Sequence, residues 1–189
     1  MFTLAGVHWQ LSHRADPLVK QLADRHYNRQ NPDSPNFVPP GRCVVLRTFD
    51  ADAFWVTLAP FAKYVRHRWA GAWTCTAFRN ESTILSSTLI QEAVAATLFL
   101  LKTPPESGFI TFVDGTKIKS GNPGCCFKKA GWKYVGLTEV AKLHALQLEV
   151  AAFPEPMAPI GPHKRDRAHQ KNVLTRCKIN AERARVSNP

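Results

Sequence analysis

This sequence predicts a mixed α/β domain followed by a basic arm, and three observations carry that reading. Short apolar runs rich in β-branched and aromatic residues outnumber helical stretches, yet helices interrupt them, which is the pattern of a mixed sheet flanked by helices. From Phe78 to Gly136 the chain reads as strand, turn, helix, strand, polar loop, short helix and strand, with polar residues at the junctions. At Phe153 the composition changes: Pro154, Pro156, Pro159 and Pro162 make an extended linker, and no further core-forming pattern follows. The boundaries expected are therefore a folded domain over 1–152 and a linker with a basic tail over 153–189.

The elements follow in order. Asp16-Pro17 is a helix start, with Asp as the N-cap and Pro at the first helical position. Leu18, Val19 and Leu22 give an apolar stripe through Arg25, and His26-Tyr27 falls at the helix end. Asn31 to Gly41 holds four prolines and no helical period, so it is an extended loop. Cys43 to Thr48 and Phe54 to Leu58 read as paired strands across the turn Asp50-Ala51-Asp52. Tyr64 to Trp69 is basic and aromatic, and Ala72 to Phe78 is the next strand. Leu89 to Leu101 is an apolar helical run. Phe109 to Val113 is a buried-strand pattern that stops at Asp114. A glycine-punctuated loop leads into a short helix around Gly124 to Ala130, then the strand Lys133 to Leu137, and Leu143 to Val150 alternates as a final strand.

Bulk properties narrow the function classes. With 44% hydrophobic residues in 189, including 11 Phe, the chain can bury a substantial core. No apolar run reaches the roughly 18 residues that span a bilayer. The N-terminus lacks a basic segment followed by an apolar one and a cleavage site, so a cytoplasmic location is expected, without a membrane partner. The formal charge of +11 makes a polyanion, above all nucleic acid, the natural partner. His163 to Pro189 contributes eight Lys/Arg against two Asp/Glu, +6 of that charge, and reads as a nucleic-acid-binding arm or as a solvated tail. Five cysteines without a CxxC pair fit neither a disulfide framework nor a zinc ribbon. Cys125 and Cys126 are adjacent, which suits packing better than joint metal ligation.

The candidate chemistry sits at the junctions, because ligands of α/β folds bind at the carboxyl ends of strands. His26-Tyr27, where a helix meets the proline-rich loop, offers a metal ligand or acid–base group. Arg79-Asn80-Glu81-Ser82 follows an apolar strand and is costly there unless its members find partners. The plainer alternative makes Asn80 or Ser82, or else Ser86 or Ser87, the N-cap of the next helix. Asp114 ends a strand as a carboxylate at its mouth, although Asp-Gly is also an ordinary turn pair. The loop beyond it carries Lys117 and Lys119 among glycines and suits a phosphate backbone, without being a Walker loop. Lys128, Lys129, Trp132 and Tyr134 interleave basic and aromatic groups that could stack on an extruded base. For Phe127, core packing is the reading preferred.

The order strand, helix, strand, short helix, then Ala130-Gly131-Trp132-Lys133-Tyr134-Val135-Gly136 resembles the GNAT acetyltransferase fold, a mixed central sheet flanked by helices. That superfamily grips the pyrophosphate of acetyl-CoA with a glycine-containing loop at a helix N-terminus. The equivalent stretch here, Phe78 to Leu89, contains no glycine, which speaks against acetyl-CoA as cofactor. More closely, the chain resembles the Mom family of phage DNA-modification proteins over about residues 17 to 150. His26-Tyr27 matches that family's His-Tyr near the end of an early helix, and Asn80-Glu81-Ser82 its polar run after a central strand. Phe112-Val113-Asp114 matches its strand ending in Asp, and Gly124 through Gly136 its glycine-and-aromatic segment, with Phe127 where the family tends to have Tyr.

The resemblance implies conversion of the N6 amine of adenine in double-stranded DNA to a carbamoylmethyl adduct, which protects the DNA from host restriction. It implies a host bacterial cytoplasm as the compartment, and a bound metal, iron, in place of a CoA-derived donor. Carried onto this chain, His26, Tyr27 and Asp114 become the metal-ligand or acid–base candidates, a hard-to-borderline set suited to iron. Glu81 is the other acid–base candidate, and Arg79, Asn80 and Ser82 would orient the base, Asn being matched to the adenine edge. The target amine lies inside the duplex, so base flipping is expected. Two other readings stand beside this one: an acyl-CoA-dependent N-acyltransferase, and a non-catalytic DNA-binding protein.

Overall fold

The computed structural model describes residues 8–60, 65, 68–118 and 120–160. The basic tail, Lys119 and half of the Tyr64–Trp69 segment (Tyr64, Arg66 and His67) lie outside the described residues. The fold is mixed α/β: a seven-stranded sheet in the order β1-β2-β3-β4-β5-β7-β6, with helices on both faces. The strands are β1 (Gln10–Ser12), β2 (Cys43–Arg47), β3 (Ala53–Leu58), β4 (Trp73–Asn80), β5 (Phe109–Val113), β6 (Lys133–Leu137) and β7 (His144–Leu148). The helices are α1 (Pro17–Asp24), α2 (Ser86–Leu101) and α3 (Cys125–Lys129). All neighbouring strands pair antiparallel except β4 and β5, which are parallel. A parallel pair needs a crossover, and α2 supplies it.

The two faces follow from strand alternation. Val44 and Leu46 join Trp55, Leu89, Ile90 and Val94 in the core beneath α2 and α3, whereas Cys43 and Val45 pack with Val19 and Leu22 of α1. Because β2 and β3 are covered on both sides, their runs are almost continuously buried. The α1 start is as the sequence predicts: Asp16 accepts from the Leu18 backbone N–H at 3.0 Å, and Pro17 occupies the first turn.

Several boundaries differ from expectation. Strand β4 runs on to Asn80, so Arg79-Asn80 belong to the strand and not to the loop after it. Helix α2 begins at Ser86 with Leu85 as its cap residue, and no side chain caps it. Neither Asn80, Ser82, Ser86 nor Ser87 therefore acts as N-cap. The edge strand β1 escapes a sequence reading because it is three residues long; Trp9 behind it is fully buried and its indole donates to the Leu89 carbonyl at 2.8 Å.

The feature that positions the site lies in the sheet's middle. β4 and β5 pair only over Trp73–Cys75 with Phe109–Thr111. Beyond that point β4 continues to Asn80 without its parallel partner. On the other side, Val56 pairs with Ala77 and Thr57 with Cys75, so Thr76 is an extra residue bulged out of the ladder. Bulges re-aim side chains and cluster near functional sites.

Candidate functional site

Where β4 and β5 part, a cavity of about 350 Å³ opens, walled by Thr76–Phe78, Thr111–Val113 and the start of α3, with His26, Tyr27 and Asn28 along its side. Residues 26–28 reach it because α1 stops at Asp24 and the chain turns back, the His26 N–H bonding to Ala23 O at 2.9 Å and the Arg29 N–H to His26 O at 2.9 Å. The His26 and Tyr27 rings stack with centroids 4.6 Å apart and planes 24° apart.

The two side chains have different chemical states. The His26 imidazole accepts from the Asn28 N–H through Nδ1 at 3.2 Å and also hydrogen-bonds to the Phe78 backbone. Both bonds are met by the neutral tautomer that carries its proton on Nε2. Burial, and then the charge of Arg79, hold its pKa down at about 4. Tyr27 is 43% exposed, and partial burial raises its phenol above the ordinary value. A backbone hydrogen bond from Asp114 opposes that rise, as an N–H donated to the phenolic oxygen would. The hydroxyl thus keeps its proton as a donor. Burial also raises the thiols of Cys75 and Cys126, the latter lining the cavity, so both stay protonated.

The other predicted catalytic groups are placed differently. Glu81 lies between two guanidiniums, 2.6 Å from Arg25 Nη2 and 2.6 Å from Arg79 Nε, and these bonds depress its pKa to about 2. A carboxylate so held is a poor proton acceptor near neutrality. Its work is to tie the end of α1 to β4, helped by Arg79, which donates to the Arg25 carbonyl at 2.7 Å. The Asp114 carboxylate accepts from the Thr116 N–H at 2.9 Å and hydroxyl at 2.7 Å, which lowers its pKa and shapes the turn into Lys117. The ordinary turn role of Asp-Gly describes this carboxylate.

Asn80 and Ser82 build the β4–α2 connection. Asn80 donates to the Ile84 carbonyl at 2.7 Å and to the Ser86 hydroxyl at 3.0 Å, and accepts from the Ser82 N–H and hydroxyl. Both amide hydrogens are committed, leaving none for an adenine edge. Trp132 requires a correction: it is 3% exposed and packs edge-on against Trp55, Phe109 and Phe127 in the core, so it cannot stack on an extruded base. Its indole N–H is buried without a partner among the described residues. Phe127 is 6% exposed, a packing residue that also lines the cavity.

Lys117, Lys128 and Lys129 are exposed around the same end of the sheet, with Lys128 donating to Asn122 Oδ1 at 2.6 Å. Tyr134 is exposed beside His144, ring centroids 5.7 Å apart.

As placed, His26, Tyr27 and Asp114 do not make a metal-binding set. The imidazole nitrogens are both engaged, and the Asp114 carboxylate is turned into its own loop. Among the described residues no group of three His, Cys, Asp or Glu converges for a metal. Thr76, Asn28, Thr111 and Cys126 are the lining residues a sequence reading misses, since nothing local marks a bulge or a strand divergence.

A second cavity, about 490 Å³, lies under the proline-rich loop. His26, Asn28, Thr76 and Ala77 line both cavities, so the two adjoin. No known protein family, characterised protein or solved structure matches this chain.

Proposed function

We propose that this chain is a DNA-modifying transferase of GNAT-like architecture that alkylates the N6 amine of adenine in duplex DNA, as in the Mom family it resembles. The observation that carries the reading is the Tyr27 phenol, a proton donor set at the cavity where β4 and β5 diverge. The strand order, the single parallel pair and the bulge at Thr76 support a GNAT-like assignment. The glycine-free β4–α2 connection, whose hydrogen bonds are filled internally by Asn80 and Ser82, disfavours a CoA pyrophosphate there. The exposed lysines and the charge of +11 favour a phosphate backbone as partner.

In this reading the adenine N6 attacks the electrophilic carbon of the donor, the bond from that carbon to the leaving group breaks, and the leaving group takes the Tyr27 proton. N6 gives up one hydrogen, which returns through water to the Tyr27 phenolate. His26 orients the phenol by stacking, and the Arg25–Glu81–Arg79 network holds the segment in place.

Nucleoside mass spectrometry of DNA from cells expressing the chain tests this. A new adenosine adduct, lost with Tyr27→Phe, is expected. Unchanged nucleosides from soluble, DNA-bound protein would replace the enzyme with a non-catalytic DNA-binding protein. The strand divergence also favours a second reading, an acyl-CoA-dependent N-acyltransferase, because such a cleft can hold an extended thioester arm. Saturable acetyl-CoA binding in calorimetry would move the assignment there.

A further inference from the structure

The cavity of about 490 Å³ beneath the loop between α1 and β2 has the features of a preformed small-molecule site, and that site is not where the proton donor lies. Tyr27 lines only the smaller cavity, while His26 and Asn28 line both. We propose that the larger cavity receives the extruded acceptor base and that the smaller one takes the group donor, transfer occurring where the two adjoin along His26, Asn28, Thr76 and Ala77. The inference rests on the DNA-modification reading above and assigns its two substrates to separate entrances.

The cavity's construction argues for a flat, heteroaromatic occupant. Phe37 and His26 bring partly exposed rings to the cavity, and the buried Phe54 backs both edge-on, at 6.1 Å and 6.3 Å between centroids. A base has a π-face for such rings whatever its identity. Asn28 and Asn36 add carboxamides, which pair with the donor–acceptor edge of adenine. The volume lies within the ~300–1,000 Å³ of ordinary ligand pockets.

The loop is braced by side chains of the domain itself. Arg14 donates to the carbonyls of Pro39 at 3.3 Å and Gly41 at 2.6 Å. Arg29 donates to those of Ser34 at 2.7 Å and Asn36 at 3.1 Å, and pairs with Asp24 at 2.8 Å. Lys20 donates to the Pro32 carbonyl at 2.6 Å. Long connections without regular structure are uncommon in compact domains unless they serve a site. Three cations spent on bracing this one make a standing pocket, which lowers the ordering cost of binding.

The placement of Tyr27 sets the donor side. A proton donor for the leaving group belongs with the donor, and Tyr27 is there. The N6 amine, entering from the other side, meets the donor carbon at the shared edge formed by Thr76 and Ala77.

The test uses the full chain and a duplex with one 8-azidoadenine opposite an abasic site, where extrusion is least costly. Photocrosslinks mapped to peptides bearing Asn28, Asn36 or Phe37 are expected. Asn36→Trp should cut crosslink yield about tenfold while changing duplex affinity by anisotropy less than about threefold, a loss of aligned edge contacts without loss of phosphate contacts. Gln30→Trp, at a second exposed lining position, should do the same, and Ser120→Trp, in the smaller cavity, should leave the yield unchanged. Crosslinks confined to Ile118–Phe127, or duplex binding without any crosslink, would overturn the base assignment and leave the DNA reading standing. No duplex binding at all would overturn both.

Discussion

The His26 and Tyr27 rings stack 4.6 Å apart immediately after α1, and among the described residues only Tyr27 retains an uncommitted proton. His26 is occupied by the Asn28 N–H and the Phe78 backbone, and Tyr27 keeps its hydroxyl hydrogen. Tyr27→Phe preserves the stack and removes the donor. Adduct formation should fall by about 100-fold or more, the lower range of a positioned general acid. The melting temperature should move by less than about 3 °C, because the side chain is half-exposed and loses a single hydrogen bond. Full activity in this variant would take the phenol out of the reaction.

Acid should expose His26 before it exposes Glu81. Its folded pKa of about 4 lies below the ordinary 6.5, so between those values the unfolded chain binds the proton more readily. Stability therefore falls as pH drops from 6.5 to 4, by up to about 3 kcal/mol for this group alone. Glu81 is depressed from 4.5 to about 2, so its contribution persists down to pH 4.5 and is lost below that. Urea midpoints across pH 7 to 4 should decline in the parent chain and flatten in His26→Gln. An equal slope in both would assign the decline to other groups.

Glu81→Gln separates an ion-pair brace from a catalytic base. The pairs to Arg25 and Arg79 are partly exposed, so the stability loss should be at most about 1 kcal/mol and should shrink in high salt. Activity should fall less than about tenfold, through misplacement of residues 26–28, whereas loss of a general base costs about 100-fold or more. Steady-state adduct yield against salt concentration reads the difference.

Trp132 should behave as a core residue. Trp132→Ala is expected to cost about 3–5 kcal/mol in chemical denaturation. Trp132→Phe should cost less than about 1.5 kcal/mol, since it keeps aromatic packing and removes an indole N–H that has no partner among the described residues. Neither change should alter DNA affinity in the folded protein. A selective loss of binding in Trp132→Phe would return this residue to the nucleic-acid surface.

Gly108 and Gly124 are positions where backbone geometry excludes a side chain. A Cβ on Gly108 (φ 72°) would lie 2.1 Å from the Leu148 carbonyl oxygen, and on Gly124 (φ 72°) 2.7 Å from Leu146 Cδ1. Gly108→Ala meets backbone that cannot yield, and Gly124→Ala meets a side chain that can shift. The first should destabilise more, and comparing their thermal midpoints checks the order.

Local pattern determined most of the elements. Short continuous apolar runs made β2, β3 and β5 legible and alternation β7, the Asp16-Pro17 start placed α1, and an apolar run too short for a bilayer located α2 as a core helix. The same pattern put His26-Tyr27 at a helix end and Asp114 at a strand end. What those side chains do was decided by tertiary structure, because a hydrogen bond or ion pair depends on which distant atoms arrive. Glu81 met Arg25 from α1, Asn80 turned inward to Ser86, Asp114 closed on Thr116, and Trp132 went into the core. The divergence of β4 from β5 and the bulge at Thr76 depend on pairing between strands far apart in the chain, and no residue type in Trp73–Asn80 announces them. The cavities exist because of that divergence and of the braced loop over β4, so composition specified a basic α/β protein, and long-range packing selected where it can act.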